Sequence, residues 1–440
     1  MNAKLIFSIL VLACCFSMQG QIPASAFSFS CLKTDTVTGC GQTCVTISTR
    51  IPNIRALTGN YVVNRISAPE DCFRQYTSPA TPGTTFGVSN DDVYSSVINL
   101  PFNFPFYGTV YNSLLMSTNG YISFDATRAG AFSHYGMFSN GFGLSTFASG
   151  GATAADLPNT LYDRALIMAP YHDIDIFAST SPARQIKYEL IGTAPHRRWI
   201  LSFYKIPLYS TPCSNLIENT SQLVLYEGTG IVEVFVNSKQ ICTDWNDGRA
   251  MIGMQDYDRV NGIMAPGRAA SDAPWGTVDM NEAWRFTPAE GAALFKRVEL
   301  YNAGGQLVST GTVLDAGNGN YNATFNNVCI DSSGSYIVKS VYKNINDPLT
   351  EVYGTDTLNI LKRPANASEL IWTGSVSTQW ENPLNWLCNT LPGSTSNVII
   401  NAGATVVVNS NVTVNSVTVQ PGASLVVSPG YNVNVLSGPH

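Results

Sequence analysis

The chain has 440 residues, 12% of them charged, with 24 Lys and Arg against 30 Asp and Glu, a formal net charge of -6 and a pI near 5.3. An average soluble domain is about 25% charged, and no run of Lys or Arg occurs here, which excludes the electrostatic footprint of nucleic-acid binding. At roughly 100–200 residues per domain, the length implies more than one domain.

The N-terminus, MNAKLIFSILVLACCFSMQGQIPASAF, places Lys4 before an apolar run from Leu5 to Phe16 and ends on Ala-Ser-Ala at 24–26. This is the pattern of a secretory signal peptide over residues 1–26. The VLAC ending at Cys14 is a poor lipoprotein box, because Leu12 and the doubled cysteine depart from it. No later apolar stretch is long enough for a transmembrane span. Residues 27–83 carry Cys31, Cys40, Cys44 and Cys72 and two β-like runs, CVTISTRI and NYVVNRI, and read as a small disulfide-stapled β segment.

From 84 to 288 come strand-like segments such as VYSSVINL, ALIMAPY, QIKYELIG, RWILSFYKI, QLVLYE, IVEVFV and AMIGMQDY, separated by Gly, Pro, Asn and Asp. Period-two alternation between turn signals predicts an all-β sandwich. Within it, LPFNFPFYG sets Phe102, Phe104 and Phe106 on one strand face. Asn119-Gly120 predicts a tight two-residue turn that pairs Thr118 with Tyr121, Ser117 with Ile122 and Leu115 with Phe124. Shorter strands at closer spacing over 289–363 suggest an immunoglobulin-like β-sandwich. Over 364–440, NAGATVVVNSNVTVNS and QPGASLVVSPGYNVNV align at a period of 19, matching Val407 with Val426, Val408 with Val427 and Val414 with Val433. That is the signature of β-solenoid rungs. Two rungs bury little core, so either further rungs follow His440 or these pack on the preceding domain.

An even set of eight cysteines beyond the signal favours structural bridges over zinc. Two alternating runs joined at Glu227-Gly228-Thr229-Gly230 bring Cys213 and Cys242 opposite each other across a hairpin mouth, which predicts a Cys213–Cys242 disulfide. The only histidines are His134, His172, His196 and His440, and the chain lacks G-x-S-x-G, H-E-x-x-H and S-x-x-K, so no catalytic residue is assigned and no enzyme is expected. In APYHDIDIF, Asp173 and Asp175 share one strand face and form a candidate calcium pair, the one cofactor considered, with further loop carboxylates at Asp91, Asp92, Asp244 and Asp247. The bland reading makes them edge and turn aspartates. Trp245 and Trp275, in or near loops, are candidate ligand-binding platforms for sugars, set against ordinary packing.

The stretch LPFNFPFYGTVYNSLLMSTNGYISF, followed in order by LIMAPYHDIDI, QLVLYEGTGIVEVFV, WNDGRAMIGMQD and NEAWRFTP, resembles a nidogen-like (NIDO) domain over 84–288. Together with CVTISTRIPNIRALTGNYVVNRI it is similar to the N-terminal regions of large surface proteins of gliding-type bacteria that use the type IX secretion system. IWTGSVSTQWENPLNWLCNTLPGS, with Trp372, Trp380 and Trp386, looks like the aromatic motif that opens β-solenoid passengers in bacterial surface proteins. The resemblance implies a secreted or cell-surface modular protein for adhesion or extracellular scaffolding. Its partners would be extracellular matrix, surface polysaccharide or neighbouring cell-surface proteins. The rival expectation is a carbohydrate-binding accessory that targets a secreted polysaccharide-degrading system.

Overall fold

The computed structural model describes residues 27–28, 36–38, 40–67, 83–87, 90–137, 155–209, 213, 217–330, 332–362 and 369–437. Residues 1–26, expected to be a signal peptide, and Cys31 and Cys72 lie outside them. The described residues are all-β, with short 3-10 turns between some of the strands. They fall into two compact units, drawn from Met1–Leu32, Arg50–Asn322 and Ile337–Asp356 and from Lys33–Thr49, Ala323–Tyr336 and Thr357–His440.

The first unit contains a seven-stranded sheet in the order Arg55–Ser67, Glu282–Ala293, Val232–Ser238, Glu218–Tyr226, Arg198–Pro207, Gln185–Ile191 and Thr84–Thr85. A six-stranded sheet runs Gly262–Met264, Met251–Gln255, Leu166–Tyr171, Tyr121–Ser123, Thr109–Met116 and Ile98–Phe106. Alternate residues of both enter one core: Phe102, Phe104, Phe106, Leu114, Met116 and Ile122 from one, Leu201, Phe203, Val232, Val234, Val236 and Phe286 from the other. At about 1.5–3 kcal/mol for each large apolar side chain taken from water, this core dominates the sandwich. The aromatic strand therefore holds the fold together, with Phe106 at 5.0 Å from Phe124, centroid to centroid.

Two expectations about this region change. The stapled segment 27–83 is not a separate unit, because Arg55–Ser67 pairs antiparallel with Glu282–Ala293, from Ser67 opposite Glu282 to Arg55 opposite Ala293. The hairpin at Asn119-Gly120 is shifted by one residue: Leu115 faces Ser123, Met116 faces Ile122, and the Ser117 amide donates to the Tyr121 carbonyl at 2.9 Å. The reason is burial. Opposite residues share a face, and only this register sends Met116 and Ile122 together into the sandwich core while Leu115 joins a second cluster on the other face, with Tyr121, Met168 and Tyr171. The loop then passes so close to the neighbouring strand that a Cβ on Gly120 would meet the Pro170 carbonyl oxygen at 2.0 Å, and its φ of +80° is one that glycine adopts freely.

Of the strands expected to be immunoglobulin-like, Phe295–Tyr301 pairs antiparallel with Leu307–Gly317 and with Gly334–Lys343 in the first unit. Cys44 is bridged to Cys329, and Cys40 to Cys388.

In the second unit the 19-residue repeat is a stack of parallel strands. Asn397 faces Ser416 and Val407 faces Val426, each 19 residues on. The third strand departs from the expected register, since Val412 faces Val433 and Val414 faces Val435. The turn before Val433, Ser-Pro-Gly-Tyr-Asn, is longer than the Asn-Ser-Asn before Val412, and its extra length is absorbed there. A small core of Val398, Ile400, Val406, Val408 and Val414 is closed by Trp372, Trp380 and Trp386. The buried Asn385 ties down the loop that carries these rings, accepting from the Val376 and Ser377 amides and donating to Gln379 O, each at 2.9 Å.

Candidate functional site

Four segments of the first unit converge on a carboxylate cluster. After strand Leu166–Tyr171 the chain continues alongside residues 207–209: the Asp175 amide donates to Pro207 O (2.8 Å) and the Tyr209 amide to Asp173 O (3.1 Å). Ile174, between the two aspartates, is buried in the sandwich core. Alternation along extended backbone therefore directs Asp173 and Asp175 the other way. Asp91 and Asp92 arrive from the loop before Tyr94, and single oxygens of Asp91, Asp92 and Asp173 all lie within 4.8 Å of one another. Asn119, fully buried, organises them: its Nδ2 donates to Asp92 Oδ1 (2.8 Å), and its Oδ1 accepts the Ile174 amide (3.3 Å).

The fourth segment is the loop 239–249. Trp245 Nε1 donates to Asp173 Oδ2 at 2.5 Å, and the indole lies 5.3 Å from the Tyr209 ring and 6.4 Å from the Tyr135 ring. Lys239, buried, holds the loop from inside by donating to Gly248 O (2.7 Å) and Trp275 O (2.9 Å). Burial, then the nearby Arg268, pushes its amine down to about 7. Cys213 and Cys242 are joined, their Cα atoms 5.9 Å apart, and the bridge tethers the start of the same loop. Both sulfurs being bonded, the grouping of Cys213, Cys242 and Asp244 offers no thiolate pair to a metal. Replacing both cysteines by serine is expected to cost about 2–4 kcal/mol, measured as a lower urea midpoint at unchanged slope. A midpoint within error of the parent would show that the bridge carries no stability.

The electrostatics of the cluster are unbalanced. Burial first, then the Asp175 and Asp92 carboxylates, push Asp91 up to about 7. Burial raises Asp92 and Asp175 adds to this, while the Asn119 hydrogen bond opposes. Asp173 is raised well above the carboxylate range by burial and then by Asp92, with the Trp245 hydrogen bond opposing. Among the described residues none of Asp91, Asp92 and Asp173 is ion-paired. Neither Asp91 Oδ1 nor Asp173 Oδ1 has a hydrogen-bond partner. A cavity of about 10 Å³, room for a single water-sized occupant, lies against His172, Asp173, Trp245 and Asn246.

A family described as NIDO related matches residues 70–294, just over half of the chain. The chain belongs to the NIDO-related family. A second match, to a domain of unknown function (DUF8693), covers residues 371–437. No curated protein and no solved structure matches the chain.

The carboxylate cluster thus lies within the NIDO-related match, its residues drawn from separate loops between 91 and 249. Asp173 is in it, whereas Asp175 directs Oδ1 to the Phe177 amide (2.7 Å) and acts on the cluster through its charge. Trp245 is at the cluster, committed to Asp173 and flanked by two tyrosines. Trp275 is no loop platform: it is 7% exposed, belongs to the sandwich core and donates from Nε1 to Ala250 O (2.8 Å), with the Arg268 guanidinium 4.3 Å from its ring centroid. Sequence reasoning assigned Asn119 to a turn and overlooked Lys239. The signal available for Asn119 was only that Asn-Gly and Asp-Asp motifs both precede strands of the aromatic hairpin.

Proposed function

We propose that the chain is a non-enzymatic, secreted or cell-surface modular protein acting in adhesion or extracellular scaffolding, with extracellular matrix, surface polysaccharide or neighbouring cell-surface proteins as partners. The observation that carries this reading is the succession of a NIDO-related sandwich and stacked β repeats in one chain cross-linked by disulfides, bonds that persist in oxidising, extracellular surroundings. Beads coated with the full chain should be retained, saturably, on matrix-coated or cell-covered surfaces. Retention no greater than that of beads coated with an inert protein would overturn the proposal.

A second reading, a carbohydrate-binding accessory of a polysaccharide-degrading system, is favoured by a groove of about 560 Å³ on the repeats, lined by Thr373, Ser375, Ser377, Thr378, Asn401 and Thr405. Hydroxyl and amide groups without charge suit sugar hydroxyls. Sugar-selective binding on a glycan array, lost on replacing Asn401 by alanine, would favour this reading over general adhesion.

A further inference from the structure

We propose that Asp91, Asp92 and Asp173 bind one divalent cation, calcium, which fastens the loop carrying Asp91 and Asp92 to the extended segment that follows strand Leu166–Tyr171. The inference stands on geometry that is independent of the adhesion reading. Oxygens ligating one Ca²⁺ at about 2.4 Å can be at most about 4.8 Å apart, and the three carboxylates present oxygens within 4.8 Å of one another. Two observations beyond the clustering point to an ion. Asp173 is 3% exposed, and its Oδ1 has no hydrogen-bond partner although Oδ2 accepts from Trp245. Asn246, 2% exposed, lines a small cavity with Asp173, His172, Lys239 and Arg249, and its Oδ1 also has no partner.

Buried carboxylates left without counter-charge or donor are costly. Here one buried and two half-buried carboxylates meet without a counter-charge among the described residues, with Asp175 close by, and a bound cation would offset their mutual repulsion. Calcium is preferred to magnesium because the ligands are carboxylates from separate loops, a flexible all-oxygen set, whereas Mg²⁺ demands near-octahedral geometry and keeps its water. Cysteine is not available to a softer metal at this site, since Cys242 is bridged.

The test uses the full chain after chelation and dialysis. Titration calorimetry with CaCl2 is expected to give one ion per chain, with Mg²⁺ binding more weakly, and Ca²⁺ should raise the unfolding temperature. Asp92→Asn and Asp173→Asn should each weaken binding by about tenfold or more, since each removes one of three charged ligands. Terbium supplies a readout that leaves the aspartates intact. Excitation of tryptophan should give sensitised Tb³⁺ emission that Ca²⁺ competes away, and Trp245→Phe should lose most of that emission. Absence of stoichiometric Ca²⁺ binding would overturn the proposal. So would Ca²⁺ binding unchanged in folded Asp173→Asn, or Tb³⁺ emission unchanged in Trp245→Phe.

Discussion

Replacing Glu233 by alanine is expected to destabilise the sandwich by about 3–5 kcal/mol, read from the shift in urea midpoint. Val232, Val234 and Val236 send their side chains into the sandwich core, which puts Glu233 on the opposite face of the seven-stranded sheet. It is nevertheless buried, 1% exposed, and directly opposite Arg285 on the adjacent strand. Arg285 Nε donates to Glu233 Oε1 at 2.5 Å, and the Tyr226 hydroxyl donates to Oε2 at 2.5 Å. Truncating the acid takes the counter-charge away from a guanidinium that is itself 3% exposed, so the cost of burying that charge is no longer offset. The pair as a whole is a different matter. Exchanging both partners for apolar residues of similar size, Glu233→Leu with Arg285→Met, should recover most of the loss, because the desolvation cost disappears with the charges. A single variant losing less than about 1 kcal/mol would place the pair in the class of exposed salt bridges instead.

Trp386→Ala should cost about 3–5 kcal/mol in the second unit. The repeats have a small core in which Trp386, 1% exposed, contacts Trp372 at 4.9 Å and Trp380 at 4.5 Å, both edge-on, while its Nε1 donates to the Trp380 carbonyl at 2.7 Å. Such edge-to-face pairs add about 0.5–1.5 kcal/mol beyond area burial. Removing the indole opens a cavity and costs the Trp380 carbonyl its donor. Protease should then cut within 371–437 at a dose that leaves the parent intact, and Trp386→Phe, which keeps a ring but not the donor, should fall between the two. Resistance equal to the parent's would show that the valine rungs hold without their aromatic closure.

The same contrast between local and distant determinants explains what could be read from the residues. Phe102, Phe104 and Phe106 on one face, the hairpin ahead of Cys242 and the Val407–Val426 register are written in spacings of a few to about twenty residues. Each follows from strand pleat, turn chemistry or repeat period alone. The failures came where two such rules met a third, tertiary one. Asn119-Gly120 signalled a turn correctly, but which residues pair across it was decided by the need of Met116 and Ile122 for the core. Likewise a loop tryptophan and a core tryptophan look alike in sequence, and Trp275 proved to be the latter.

By itself the sequence determined the all-β class, the acidic balance and the Cys213–Cys242 hairpin, because periodicity and turn residues act between near neighbours. Only the tertiary structure decided that Arg55–Ser67 completes the sandwich, that Cys44 meets Cys329, and that Asp91, Asp92, Asn119, Asp173 and Trp245 share one site. Those residues come from separate loops, and no local rule states which loops a twisted pair of sheets will bring to the same end. The burial of Ile174 on one side of its segment and the pairing of that segment with residues 207–209 are what turn Asp173 toward Asp91 and Asp92.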